Sequence, residues 1–198
     1  RLMPNGHIIM MLDGRAFSKL IKNKFNKPFD DRFIDMMNET AKHLCKNISG
    51  VRFAYVQSDE ISLYIHDDSM CGSFFGLRQT KLLSIPAAMA AGKFNQLYLC
   101  GDLMNRLQDC LQLCGEEAEV TKDQILDIIK NQKLAEFDCK VWNVPNENDV
   151  YTWFLYRQLD CIKNSKQQTA QTFLPHKLLY GHDTDEQVKL LKQNTDID

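Results

Sequence analysis

An apolar run that ends in an acid sets the tightest bound on this chain. Ile8-Ile9-Met10-Met11-Leu12 is followed at once by Asp13-Gly14-Arg15. It reads as a buried strand that delivers a carboxylate at or beside a tight turn. A second such stretch runs from Phe53 to Ile65 and carries Ser58-Asp59-Glu60 in its middle, the tip of a hairpin. A carboxylate beside hydrophobic core is costly unless something cationic meets it. Two of them, Asp13 and Asp59, imply a shared partner, and a pair of magnesium ions is the sharpest candidate.

The rest of the pattern gives those acids a frame. Residues 7–12 are expected as the first strand. A helix should start near Asp30 or Asp31, with Phe33, Ile34, Met37, Ala41, Leu44, Cys45 and Ile48 recurring at three and four, and end around Asn47 to Gly50. The hairpin takes 52–66, and 67–76 is loop-like. A second long helix covers about 77–99, where Pro86 should kink or interrupt it. A charged helical insertion follows over about 101–133, with a break near Gly115. A strand returns at 135–144 and stops at Pro145. A helix from Glu147 to about Thr172 carries apolar Val150, Trp153, Phe154, Tyr156, Leu159 and Ile162, and a short helix is expected at 185–192.

The core order βαββαβ is the split-βαβ arrangement, an antiparallel sheet with helices on one face. The expected class is therefore α+β: a ferredoxin-like palm domain of polymerase or cyclase type, with the helical insertion and a C-terminal helical extension. Its first strand lies beside the hairpin, which brings Asp13 and Asp59 together. The catalytic domain is expected over 1–177 and the extension over 178–198.

Composition excludes some classes. The chain has 198 residues, 44% of them hydrophobic, enough to bury one substantial core. Its net charge of -2 gives no global attraction to nucleic acid, so any such contact needs a local patch. No apolar run approaches the roughly 20 residues of a membrane helix, and no membrane association is expected. The seven cysteines are odd in number and scattered, which favours a reduced intracellular compartment, cytoplasmic or mitochondrial. No leader pattern follows Arg1, and the native start is expected upstream.

Taken singly, the motifs are ordinary. Asp-Gly after a strand is commonly just a turn, and an acid at a hairpin tip is commonly solvated. Joined on one βαββ frame, they favour metal. Magnesium prefers hard oxygen ligands, keeps waters and takes the rest from substrate phosphates. Gly14, lacking a side chain, would let backbone and nucleotide approach. The stretch Gly14-Arg15-Ala16-Phe17-Ser18-Lys19 offers amides and cations to a triphosphate. Lys27-Pro28-Phe29-Asp30 leads into the next helix, where Asp30 could equally be its N-cap. Arg78 and Lys81 lie one turn apart. On the last long helix Arg157, Asp160, Asn164 and Gln168 form a polar stripe with Lys163 and Lys166 beside it, and His176-Lys177 follows Pro175. No histidine has metal-ligand spacing, and no Ser/His/Asp nucleophile set is visible.

Leu12-Asp13-Gly14-Arg15-Ala16-Phe17, Lys27-Pro28-Phe29-Asp30, Tyr55-Val56-Gln57-Ser58-Asp59-Glu60, Lys81, Phe137-Asp138 and Arg157-Gln158-x-Asp160-x-x-x-Asn164-Ser165 occur in that order. The set, spanning about 8–177, resembles the tRNA(His) guanylyltransferase superfamily, which adds nucleotides in the 3′→5′ direction. It is most similar to the guanylyltransferase-like proteins that repair tRNA 5′ ends against a template. The resemblance implies Asp13, Asp59 and Glu60 as catalytic residues. Asp13, the Gly14 carbonyl and Asp59 would hold two Mg2+ ions. ATP and GTP would be substrates, on a nucleotide site of residues 13–18 (Asp13, Gly14, Arg15, Ala16, Phe17, Ser18), Lys27, Asp30, Ser58, Asp59 and Lys81. Arg78, Arg157, Lys163, Asn164, Lys166, His176 and Lys177 are the expected tRNA contacts, and a homotetramer is implied.

Ser18 stands where many members have histidine. Asp160-Cys161-Ile162-Lys163-Asn164-Ser165 stands where eukaryotic enzymes carry a His-Ile-Asn-Asn run. Template-dependent repair is therefore the expected activity, with dedicated addition of the extra guanosine of tRNA(His) as the alternative. A palm-fold nucleotide cyclase and a non-catalytic RNA-binding relative are more distant.

Overall fold

The computed structural model describes the chain except for residues 23, 67–71, 115–121 and 196–198; of residues 105–114, 122, 124 and 128 the backbone alone is described. Four strands form one sheet: β1 His7–Gly14, β2 Val51–Gln57, β3 Glu60–His66 and β4 Phe137–Val144. Their order is β2-β3-β1-β4, antiparallel at every junction. The first strand thus lies between the hairpin and the returning strand, as the βαββαβ order requires. It runs two residues further than expected. Asp13 and Gly14 are still laddered, because β1 has a partner on each side to its end, opposite Glu60 and Asp138 for Asp13 and Phe137 for Gly14.

Period-two alternation decides what each face carries. Ile8, Met10 and Leu12 of β1, Ile61, Leu63 and Ile65 of β3 and Val141 of β4 are all buried on one face. They meet Phe33, Met37, Ala41 and Leu44 of α2 (Asp31–Asn47) and Leu82, Ala90, Phe94 and Tyr98 of α3 (Gln79–Cys114). The short α1 (Phe17–Leu20) drops Phe17 into the same core, against Phe33, Phe94 and Phe137.

The other face is covered too, which corrects the expectation of helices on one side. The long α5 (Glu147–Phe173) crosses it. Phe154 meets Phe53 edge-on at 4.8 Å, and Trp153 meets Trp142 at 4.8 Å. At its far end Ala170 and Leu174 join Leu179 of α6 (His176–Leu179) and Leu191 of α7 (Thr184–Asn194) in a small separate cluster.

Pro86 does not interrupt α3, which continues to Cys114. Lacking an N–H, Pro86 leaves the Leu82 carbonyl without its helical donor. The Cys139 thiol points at that oxygen at 3.4 Å. Burial pushes this thiol up to about 12, so it stays protonated and can donate. The expected break near Gly115 lies outside the described residues; beyond it α4 spans Lys122–Asn131.

Candidate active site

Three carboxylates meet where β1 ends. Asp13 and Glu60 are opposite each other in the β1–β3 register and project to the α5 face. Asp59 sits in the two-residue turn, where its carbonyl accepts from the Gly14 amide at 3.0 Å. Ser58 takes φ 52°, the positive φ a two-residue hairpin turn needs, and its hydroxyl donates to Asp59 Oδ1 at 3.0 Å. Across β1, Asp138 and Lys140 of β4 share this face. The strand's alternation predicts that placement, although the sequence alone assigns neither residue a role.

The electrostatics separate these acids. Burial raises Asp13 above its ordinary value; Asp138 raises it further, and Lys140, the Gly14 amide and Arg157 partly oppose this. Burial likewise raises Asp59, with hydrogen bonds from its own amide and Ser58 opposing and the Asp13 charge adding. Glu60 is raised by burial but opposed by Arg157. Arg157 Nε and Nη2 donate to Glu60 Oε1 and Oε2 at 2.8 and 2.7 Å. Among the described residues, neither Asp13 nor Asp59 has an ion-pair partner.

Oxygen donors in excess of cations fit hard divalent metal. No group of three His, Cys, Asp or Glu side chains among the described residues makes a ready-made cage. Magnesium does not demand one, since waters and substrate phosphates complete its shell. Asp13, Asp59 and the Gly14 carbonyl are the groups that could hold it.

Several expected ligands have other partners here. Arg157, expected on RNA, is nearly buried and closed on Glu60, with Asp160 also 3.5 Å away. Asp160 accepts from Gln57 at 3.2 Å and Asn164 at 3.0 Å, and Gln168 donates to the Pro28 carbonyl at 2.9 Å. Arg157 and Asp160 of the polar stripe therefore help dock α5, while Asn164 and Gln168 stay exposed. Lys166 lies 3.4 Å from Asp185. Lys163, His176 and Lys177 are exposed.

Asp30, expected at the nucleotide, caps α2 instead. Its oxygens accept from the Arg32 and Asn26 amides and from the Arg32 guanidinium, which holds its carboxyl far below the usual carboxylate range. Phe17 is core, so only its backbone can meet a ligand. Packing alone also demands a glycine at position 14, since a Cβ there would collide with the Phe17 ring. The Arg15 amide is taken by the Glu136 carbonyl at 2.8 Å, and its guanidinium by Glu136 Oε2 at 3.0 Å. The amides of Ala16, Phe17 and Ser18 lie ahead of the acceptors of α1. Arg78 and Lys81 stand at the start of α3, which packs on the sheet face opposite Asp13. Lys27 is exposed just before Asp30. A cavity of about 850 Å3 between α2 and β2, lined by Asp35, Lys42, Cys45 and Val56 among others, also lies on that opposite face.

A strand-end acid pair beside free helix-start amides suits a protein that handles nucleoside phosphates. The chain belongs to the tRNA(His) guanylyltransferase family: the family model described as tRNAHis guanylyltransferase matches residues 1–145. Members of that family are nucleotidyltransferases. A tRNA(His) guanylyltransferase of Debaryomyces hansenii is 28% identical over 170 residues, 85% of this chain and 55% of that protein. The chain thus spans about half the length of this curated relative. A solved bacterial tRNA(His) guanylyltransferase-like protein in complex with ATP matches with TM-score 0.80 and 29% identity, over 100% of this chain and 75% of that one. Another, in complex with GTP, matches at 0.68 and 30%, over 89% and 71%. Among the described residues no helix is long and apolar enough to cross a membrane.

Proposed function

We propose that this chain adds a nucleotide to the 5′ end of a tRNA, on a ferredoxin-like palm, with Asp13 and Asp59 as the catalytic acids. The observation that carries this is the pair of partly buried carboxylates, both raised and both without an ion-pair partner among the described residues, at the end of β1. Asp13, the Gly14 carbonyl and Asp59 would hold two Mg2+ ions. Bound there, magnesium would supply charge neutralisation and alignment of the attacking and leaving oxygens. The amides of Ala16–Ser18 take triphosphate oxygens, and Ser58 fixes the orientation of Asp59. Glu60, closed on Arg157, locks α5 against the site and acts as a positioning residue. ATP or GTP activates the 5′-monophosphate with loss of pyrophosphate, and the 3′-hydroxyl of the incoming nucleotide then displaces the activating nucleotide. No nucleophilic side chain is required. A homotetramer is part of the same proposal.

The names of the curated relatives favour dedicated guanosine addition to tRNA(His) over the repair activity expected from the sequence. We take guanosine addition as the leading reading. One observation keeps template-dependent repair as the second: Asp160–Ser165 lacks the His-Ile-Asn-Asn run, and its Asn164 is bonded to Asp160. The test offers 5′-monophosphorylated tRNA(His) and 5′-truncated tRNAs of other identities, with ATP, Mg2+ and each nucleotide. The base opposite the addition site is varied. Guanosine on tRNA(His) whatever that base supports the leading reading. The complementary nucleotide on several tRNAs supports the second. No addition on any substrate overturns both.

A further inference from the structure

With Arg157 closed on Glu60, Asn164 on Asp160 and Lys166 on Asp185, α5 has few groups left for RNA. The densest cationic run lies elsewhere. Residues 15–27 carry Arg15, Lys19, Lys22, Lys24 and Lys27 and no acid, in a chain whose 26 acids outnumber its 24 cations. This segment leaves β1 directly after Asp13-Gly14, beside the Asp59 turn.

Its apolar residues fix which side faces out. Phe17 and Leu20 are buried, and Phe25 stacks on Tyr98 with ring centroids 6.2 Å apart. Lys19, Lys22, Lys24 and Lys27 are left exposed. Among the described residues none of these four lysines forms an ion pair. Two neighbouring acids are already occupied, Asp30 by Arg32 and Glu136 by Arg15. Lys24 Nζ lies 4.7 Å over the Tyr98 ring, which steers the ammonium without cancelling its charge.

We propose that Lys19, Lys22 and Lys24 form the surface that receives the phosphodiester backbone of the tRNA acceptor stem, and so set its 5′ end over Asp13 and Asp59. The proposal rests on the tRNA reading above. Uncompensated cations on one side of a segment are what a polyanion recognises, by counterion release. Lys19, Lys22 and Lys24 stand beyond Arg15, which is closed on Glu136, and beyond the Ala16–Ser18 amides next to the acids. The lysines are free for a longer ligand.

The experiment compares the full chain with its K19E/K22E/K24E and K19Q/K22Q/K24Q variants. The probe is a 5′-monophosphorylated acceptor-stem hairpin RNA, followed by fluorescence anisotropy across a salt series. ATP binding and thermal unfolding are measured alongside. The expected result for the glutamine variant is RNA affinity at least about tenfold weaker and a log–log salt slope shallower by about 3, roughly 0.9 for each phosphate that a lysine no longer neutralises. The glutamate variant should bind more weakly still, and a K22Q/K24Q variant, which keeps Lys19 beside the triphosphate amides, should lose RNA affinity and salt slope with its ATP affinity unchanged. A K163E/K166E variant should lose less. Unchanged RNA affinity and slope in the triple glutamine variant overturns the proposal, as does a loss of ATP affinity in K22Q/K24Q equal to its loss for RNA. Wild-type chain that fails to bind the RNA also overturns it. Steep, lysine-dependent RNA binding without any nucleotide addition would leave this surface standing and defeat the proposed reaction instead.

Discussion

Arg157 donates to both carboxylate oxygens of Glu60, at 2.8 and 2.7 Å, and so joins α5 to the first residue of β3. Their side chains are only 12% and 11% exposed. This divides the acids at the end of β1 into two kinds. Glu60 is matched by a protein cation. Asp13 and Asp59 are not, among the described residues; burial raises all three acids, and at Glu60 the Arg157 charge and hydrogen bonds oppose it most directly.

Breaking the matched pair should be expensive. Arg157→Ala leaves the Glu60 charge nearly buried and alone, for which a loss of about 3–5 kcal/mol is expected in urea unfolding. Removing both charges, as Arg157→Met with Glu60→Gln, should recover most of it, because the desolvation of both ions disappears together. Arg157→Lys should not recover it, since a point charge cannot replace the two-pronged contact. A stability loss below about 1 kcal/mol for Arg157→Ala would mean the pair does not lock α5.

The unmatched acids should behave in the opposite way. Asp13 is raised above its ordinary 3.8. Its contribution to stability is therefore complete below pH 3.8 and is lost as pH rises through the folded-state value. Asp13→Asn removes that loss. Without metal, the variant's melting temperature should exceed the wild type's at neutral pH, at about 2–4 °C per kcal/mol gained, and the gap should close towards the ordinary value of 3.8. Added Mg2+ should raise the wild-type melting temperature and leave that of Asp13→Asn nearly unmoved. Nucleotide transfer should be abolished. A variant less stable than wild type at neutral pH without metal would contradict the electrostatic account.

The strand-end acids are legible in the sequence because each closes an apolar run, and alternation alone sends Ile8, Met10 and Leu12 to one face. What is not legible is what those side chains do across long sequence separations. Nothing local marks Arg157 as the partner of Glu60, 97 positions away. A polar stripe at helical spacing looks the same whether it faces water or a sheet. A similar distant contact meets the break in the α3 ladder, where Cys139 offers a donor to the carbonyl that Pro86 leaves open. Asp30 is the reverse case: its local cap is visible in the sequence, and the structure needs no ligand to explain it.

Gly14→Ala tests whether this glycine serves the core or the ligand. The added methyl would collide with the Phe17 ring and push it against Phe33, Phe94 and Phe137. Overpacking of this sort costs typically about 1–3 kcal/mol. Combining it with Phe17→Leu should restore part of the loss, because the obstructing ring is gone. Additive losses, with nucleotide binding abolished in both variants, would return the glycine's role to the ligand.

Asp30→Ala should separate a cap from a nucleotide contact. Asp30 accepts from the Arg32 amide at the start of α2, from the Asn26 amide and from the Arg32 guanidinium. Losing the cap alone costs about 0.5–2 kcal/mol. Because the Asp30 pKa is lowered, its contribution is present above the ordinary 3.8 and vanishes as pH falls below it. The stability gap between wild type and Asp30→Ala should therefore be full near neutral pH and shrink steadily on acidification. Asp30→Ser, which keeps a capping oxygen, should close part of the gap near neutral pH. At a temperature where both variants are folded, KM for ATP and GTP should match the wild type. A raised KM with unchanged stability would show that the carboxylate reaches the nucleotide after all, and that Arg32 releases it when the ligand arrives.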